Sequence, residues 1–485
     1  MSYDRKTQTI CPICNRPLNG EYIENGDFIF FTSSCPEHGT SSVLASEYTE
    51  DFNKWMEYQS VNVAPKVALT NGASPKSEYG SECPLHCGTC NNHLMTACCV
   101  LLDITERCNQ HCPWCFANAD ESPESDPPLD KIASWYDRLI ELGEERPFNI
   151  QLSGGEPTVR NDLPEIIKMG RERGFEYIQL NTNGKRLGQD FEFTQKLAEA
   201  GLTTVFLQFD GMNDEINKTM RGEALLDIKK MAIENCKKSG IPVTLVPTVL
   251  KDVNLNDIGN LFDFMIENVN VIKGIHFQPA SFFGRHPSTN IDESSIEESN
   301  DNRVTMFSVM REIEKQTKGK ISRKDLIPIS TGHPLCCFCS SFLLEKDKSI
   351  TSLLSEQQRE EGSSCCCGPE PEPIDIIRKD RDFVLNKWTV NNDSCCGETS
   401  ASCCCEATES EDATDDCCCD TSSEEDVLSL DEALAYIKGH MFTISGMAFM
   451  DETNLDAERL KRCRVQFFTE EEKLIPFCSY NSLYR

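Results

Sequence analysis

Residues 108–116 read Cys108-Asn-Gln-His-Cys112-Pro-Trp-Cys115-Phe116, directly behind the apolar run 100–105. That run has the length and composition of a buried β-strand, so the cysteines stand on the loop leaving its C-terminal end. Three thiols spaced Cys-x3-Cys-x2-Cys can hold three irons of a [4Fe–4S] cubane and leave the fourth iron open. An open iron is a place for a ligand or substrate rather than for electron transfer alone. A zinc knuckle or closed ferredoxin cluster would bring a fourth cysteine in register, and none follows nearby.

Outward from this loop, β-rich runs alternate with amphipathic stretches. The pattern predicts strands over 100–105, 149–153, 177–181, 204–210, 243–249 and 274–279. It predicts helices over 131–145, 162–174, 191–200, 224–238 and 255–268. Six strands with helices between them imply an α/β fold, a parallel sheet with helical crossovers. Thr105, Ser153, Asn181 and Asp210 put polar groups at strand ends, which places an active site on the C-terminal rim of a barrel.

The chain has 485 residues, enough for a large core and further modules, and carries a net charge of −32. That charge argues against a broad polyanion-binding surface, so nucleic acid is not the expected partner. The start is polar, without the apolar core of a signal peptide, and no apolar run reaches the roughly 18–20 residues that span a bilayer. A cytoplasmic protein without a transmembrane segment is expected. Its 28 cysteines therefore read as metal or redox groups rather than disulfides. Cys236 alone reads as a packed apolar thiol.

Residues 1–60 read as a small metal-stapled module. Cys11-x2-Cys14 is followed by a strand-like run over 22–31 and then by Cys35-Pro-Glu-His38. Two knuckles about twenty residues apart suit a tetrahedral site of three thiolates and one imidazole, for one zinc or a rubredoxin-like iron. Residues 61–98 hold a second Cys-x3-Cys-x2-Cys, namely Cys83, Cys87 and Cys90, with Cys98 or its neighbour Cys99 as a fourth ligand. That set reads as a closed auxiliary [4Fe–4S] cluster or, alternatively, a zinc knuckle. The barrel occupies 99–285, and a substrate and auxiliary-cluster region 286–354.

Residues 355–428 form an acidic, Cys-rich insert with Cys365–Cys367, Cys395–Cys396, Cys403–Cys405 and Cys417–Cys419. Between Asp393 and Asp426 stand twelve acidic residues and no Lys or Arg, a composition that denies the segment a core. A helical island is predicted over 374–388. Nearby carboxylates disfavour thiolate, so these thiols suit soft-metal capture or a dithiol relay rather than nucleophilic attack. The C-terminal segment 429–485 reads as folded, with a helix near 431–438 and strands around 463–468 and 474–477.

Four motifs in order at βα spacing identify the chain as resembling the radical S-adenosylmethionine (SAM) superfamily. They are the cysteine loop, Ser153-Gly154-Gly155-Glu156-Pro157, Asn181-Thr182-Asn183-Gly184 and Gln208-Phe209-Asp210-Gly211. The resemblance implies a partial (β/α)6 barrel and SAM bound to the open iron of the Cys108, Cys112 and Cys115 cluster. It assigns Gly154, Gly155 and Glu156 to SAM, the glycines giving room for its methionine amino group. Asn181, Asn183, Gln208 and Asp210 fall to the ribose and substrate.

Residues 151–160, 181–187, 205–211, 246–248, 276–285, 444–451, 460–463 and 474–481 further resemble the radical SAM (seleno)protein group called TrsS. More distantly, the ordered set Cys83-x3-Cys87-x2-Cys90-x7-Cys98 followed by Thr105-x-Arg107-Cys108 resembles enzymes of the tetraether lipid synthase and dihydropterin methyltransferase type. That likeness implies auxiliary clusters, with Cys336, Cys463 and Cys478 as ligands of a C-terminal one and Cys337 or Cys339 as the fourth. It also implies a low-potential electron donor of the ferredoxin or flavodoxin kind, while the substrate is not legible. The expected chemistry is reductive cleavage of SAM to a 5′-deoxyadenosyl radical and hydrogen abstraction from an unactivated carbon, leading to methylation or to C–C or C–S bond formation. The alternative is an Fe–S electron-transfer or metal-handling protein in which the Cys-rich insert does the work.

Overall fold

The computed structural model describes residues 4–58, 60–65, 83–85, 88, 90–119, 126–143, 147–287, 302–329, 331–354, 381–382 and 430–485. The N-terminal module is an antiparallel meander of β1 (Lys6–Ile10), β2 (Pro17–Asn25), β3 (Phe28–Cys35) and β4 (Gly39–Ser46), followed by a helix over Thr49–Met56. The single strand expected over 22–31 is instead a hairpin. Gly26 adopts φ 62°, and Asn25 pairs with Phe28 across a two-residue loop.

The alternating pattern behind the cysteine module folds as the barrel. β5 (Cys99–Thr105), β6 (Asn149–Gly154), β7 (Ile178–Thr182), β8 (Thr204–Gln208), β9 (Val243–Val246) and β11 (Ile272–Pro279) pair in parallel, neighbour to neighbour. β10 (Thr248–Val249) pairs only with β11. The expected run 243–249 is divided at Pro247, which has no N–H for the ladder. Val100, Leu102, Ile104, Ile150, Leu152, Leu180, Val205 and Leu245 are buried on strands covered by crossover helices. Such strands read as continuous apolar runs for that reason.

Both sheet edges are closed off by chain from the C-terminal third. β12 (Cys337–Leu344), β13 (Ile350–Ser352) and β14 (Met441–Met447) extend one edge, with β14 parallel to β11 and antiparallel to β12. β15 (Val465–Phe468) and β16 (Leu474–Pro476) extend the other, β15 lying parallel to β5. β12 and β14 were not among the expected strands. Their partner is a distant edge whose unpaired groups they satisfy.

Of the expected helix over 374–388 only Arg381 and Asp382 are described; the insert cysteines lie outside the described residues, as does Cys87. Arg381 is buried, donating to Gly143 O at 2.7 Å and Ala97 O at 3.2 Å, next to the N-terminal ends of β5 and β6. No helix among the described residues is long and apolar enough to cross a membrane.

Candidate active site and metal centres

The cysteine loop leaves β5 at the C-terminal rim and is gripped from three sides. The first grip is the turn after β6. Gly155 N donates to Thr105 O and Glu156 N to Arg107 O, both at 2.8 Å. Gly154 has φ 124°, and a Cβ on it would fall 2.0 Å from Thr105 O; one on Gly155 would fall 2.3 Å from Arg107 O. The glycines are thus demanded by main chain approaching main chain, in addition to any room they leave for a ligand. Gly155→Ala should push the cysteine loop out of place. We expect such protein to reconstitute with about four fewer irons per chain, one cubane, in elemental analysis, with the N-terminal metal retained.

Glu156, expected to touch SAM, has its carboxylate filled by the protein. Oε1 accepts from Thr158 N (3.0 Å), Thr158 Oγ1 (2.5 Å) and Thr182 Oγ1 (2.7 Å), and Oε2 accepts from Asn183 N (2.7 Å). It ties the turn after β6 to the turn after β7. Asn183 passes that order on, its Nδ2 donating to Asn109 Oδ1 at 2.8 Å inside the cysteine loop. Asn181 Oδ1 accepts from Gln179 Nε2 at 2.6 Å.

The second grip comes from Asp210. This fully buried carboxylate forms a two-pronged pair with Arg221, Nε to Oδ2 at 2.7 Å and Nη2 to Oδ1 at 2.8 Å. Burial would raise the acid, and the guanidinium more than reverses that, holding it below the ordinary carboxylate range. Arg221 Nη1 also donates to Trp114 O at 2.7 Å, between Cys112 and Cys115. Asp210 therefore acts on the cysteine loop through Arg221. Sequence reading missed Arg221. At the end of the amphipathic helix Asp214–Arg221 a basic residue looks like a solvated complement to the helix dipole. Gln208 donates to Asp210 and accepts from Lys229 Nζ at 3.0 Å. Burial lowers Lys229 to about 8.

The third grip is the chain after β11. Cys115 and Arg285 exchange both backbone hydrogen bonds at 2.8 Å. Gly284 sits at φ 67°, and a Cβ there would lie 2.4 Å from Cys115 O.

In the N-terminal module the ligand atoms of Cys11, Cys14, Cys35 and His38 all lie within 4.8 Å of one another. Cys14 Sγ and Cys35 Sγ are 3.9 Å apart, and His38 Nδ1 is 3.6 Å from Cys11 Sγ and 3.5 Å from Cys35 Sγ. A tetrahedral zinc with Zn–S near 2.3 Å and Zn–N near 2.05 Å requires about 3.8 Å between sulfurs and about 3.6 Å between sulfur and nitrogen. The fit is close.

Residues 102–265 match the family model described as the radical SAM superfamily, and residues 3–47 match the HMPTM N-terminal zinc ribbon domain. The chain is 35% identical to the 7,8-dihydro-6-hydroxymethylpterin dimethyltransferase of Methanocaldococcus jannaschii, over 99% of this chain and 94% of that one. The chain belongs to the radical SAM superfamily. Two further relatives match over shorter spans. Fe-coproporphyrin III synthase of Methanosarcina barkeri is 34% identical over 41% of this chain and 48% of its own. A probable GTP 3′,8-cyclase of Methanothermobacter marburgensis is 31% identical over 36% and 55%.

As a radical SAM enzyme the protein uses SAM and a [4Fe–4S] cluster and needs a reductant. Cys108, Cys112 and Cys115 fit that cluster chemically. Burial pushes the Cys108 thiol up to about 12, and the charges of Glu156, Cys112 and Cys115 add to it. Thiolates so placed need cationic iron beside them.

Two further cysteine sets flank the short helix Ala457–Lys461. On one side burial raises the Cys83 thiol to about 12, with Lys461, Cys90 and Glu458 as charged neighbours. Cys98 and Cys99, the expected alternatives for a fourth ligand, stand at the start of β5. Cys98 N donates to Arg464 O at 2.9 Å, its Sγ accepts from Asn149 Nδ2 at 3.6 Å, and it is hydrogen-bonded to Cys99. On the other side Cys336, Cys463 and Cys478 come together, burial raising Cys463 to about 12 with Cys336 beside it. Cys337 and Cys339, the candidates for a fourth ligand, are ladder residues of β12 opposite Met447 and Ser445. A cavity of about 60 Å³ lies between the zinc ribbon and the barrel rim, bounded by Tyr22, Phe52, Pro279, Met306, Phe449 and Arg459. It has room for a few waters.

Proposed function

We propose that this radical SAM enzyme cleaves SAM reductively at Cys108, Cys112 and Cys115 and abstracts hydrogen from an unactivated carbon, with methylation or C–C or C–S bond formation as the outcome. The observation that carries the reading is the rim loop of three thiols held by the Gly154–Gly155 turn, by Arg221 and by Arg285. When bound there, cluster and SAM supply methionine and a 5′-deoxyadenosyl radical. The chain's own part is positional. Glu156 and Asn183 lock the turns that would face SAM, Asp210 and Arg221 hold the loop, and Asn181 and Gln208 offer polar groups to ribose or substrate. Methyl transfer is supported by the Methanocaldococcus relative, a dimethyltransferase by name. A ferredoxin- or flavodoxin-like donor in a reducing cytoplasm suits a chain whose described cysteines are all free.

Anaerobic incubation of the reduced, reconstituted protein with SAM should release 5′-deoxyadenosine; none from protein with a full cluster would overturn the reading. Deleting residues 360–426 should leave that release intact, whereas its loss would favour the insert as the working part. The SAM cluster, two auxiliary clusters at Cys83/Cys87/Cys90 and Cys336/Cys463/Cys478, and the zinc ribbon predict the metal content. About twelve irons at four per cubane, with one zinc or extra iron, should be found. A count near four irons after full reconstitution would remove both auxiliary assignments.

A further inference from the structure

Arg459 is a buried guanidinium among the C-terminal cysteines. Its Nε lies 3.5 Å from Cys336 Sγ, and its Nη2 donates to Ala448 O at 2.7 Å. The buried arginines Arg160, Arg221 and Arg303 each meet a carboxylate, on Asp162, Asp210 and Asp451. Among the described residues no such ion pair is found for Arg459. The acidic groups beside it are Cys336, Cys478 and the Tyr22 phenol. A cation taken out of water needs an anion; Tyr22, hydrogen-bonded to Arg459, donates its own O–H to Asp456, and Cys336 and Cys478 are the thiols beside the guanidinium.

The aim of the side chain is fixed from outside the barrel. Arg459 belongs to the helix Ala457–Lys461, whose N-cap is Asp456; the Asp456 side chain accepts from Glu458 N at 2.8 Å and Arg459 N at 3.4 Å. The same carboxylate accepts from Thr7 Oγ1 at 2.7 Å and Tyr22 OH at 2.8 Å, on β1 and β2 of the zinc ribbon.

We propose that Arg459 is a positioning residue that sets the reduction potential of the cluster held by Cys336, Cys463 and Cys478, and that the zinc ribbon fixes it there through Asp456. The proposal rests on the assignment of a cluster to those cysteines made above. A fixed positive charge and an N–H directed at a ligand sulfur both favour the more negative, reduced cluster and so raise its potential.

The test is an EPR-monitored redox titration of the reconstituted full chain, with iron counted in each sample. In Arg459→Met the C-terminal cluster should become at least tenfold harder to reduce, 59 mV for one electron. Arg459→Lys should keep part of the effect, and the double variant Thr7→Val/Tyr22→Phe, which removes the zinc ribbon's bonds to Asp456 and leaves every charge in place, should lie between wild type and Arg459→Met, with the SAM cluster's potential unmoved. Should Arg459→Met not assemble the cluster, Arg459→Gln against Arg459→Lys makes the same comparison of charge. Equal potentials in charged and uncharged variants at full iron content would overturn the proposal, and a wild-type potential in Thr7→Val/Tyr22→Phe would overturn its zinc-ribbon half. Wild-type iron and unchanged EPR signals in Cys478→Ala would overturn the cluster assignment itself, and the proposal with it.

Discussion

Reduced protein carrying Cys112→Ala should form no 5′-deoxyadenosine above background, while Cys478→Ala should retain part of the wild-type yield. Cys112 is one of three thiols on a single loop, and an open iron requires all three, since loss of another ligand leaves the cubane on two. Nothing in the sequence between Cys115 and Cys236 can replace it, and the described Cys236 is buried in the main core. Cys478 packs in a separate apolar cluster with Leu101, Met450, Leu460 and Phe477, so its loss leaves the grip of Gly155, Arg221 and Arg285 on the SAM loop in place. Chromatographic quantitation of 5′-deoxyadenosine under anaerobic conditions reads both variants. Continued SAM cleavage by the triple alanine variant of Cys108, Cys112 and Cys115 would refute the central assignment.

Arg221→Met should cost stability and the SAM cluster together. Removing one partner of a buried ion pair typically costs about 3–5 kcal/mol, because the other charge stays in the core unpaired. Here the stranded group is Asp210, fully buried, which would keep the neutral donors Thr248 N (3.1 Å) and Gln208 and, as its remaining cation, Lys229 held on Gln208. The same change frees Trp114 O, so the loop between Cys112 and Cys115 loses one of its ties, the backbone bonds to Met220 and Arg285 remaining. The double variant Asp210→Leu/Arg221→Met removes both charges and should recover much of the stability without recovering full SAM cleavage, because the tie from Arg221 to Trp114 remains absent. Denaturant midpoints, iron content and 5′-deoxyadenosine yield measured on the single and double variants separate the two effects. Full cleavage by Arg221→Met at unchanged stability would show that the pair does not hold the loop.

The sequence by itself determined the elements whose information is local. Apolar runs bounded by turn residues marked the six parallel strands, because a strand covered on both faces must be apolar throughout. The spacing of Cys108, Cys112 and Cys115 behind the first of them, and of Cys11, Cys14, Cys35 and His38 in the N-terminal module, was readable because ligands close in sequence need only a turn to converge. Tertiary structure alone decided the contacts whose partners are distant. The seats of β14 beside β11 and of β15 beside β5 depend on which sheet edges remain unpaired, and a burial pattern states that a face is covered without stating by what. The same limit hid the use of Glu156 by Thr182 and Asn183, the hold of Arg221 on Trp114 and the turn of Arg459 toward Cys336. In each case the residue type announced a charge, an acid or a thiol. The partner was set by how the packed elements aim the side chain, and that direction exists only once the sheet has formed.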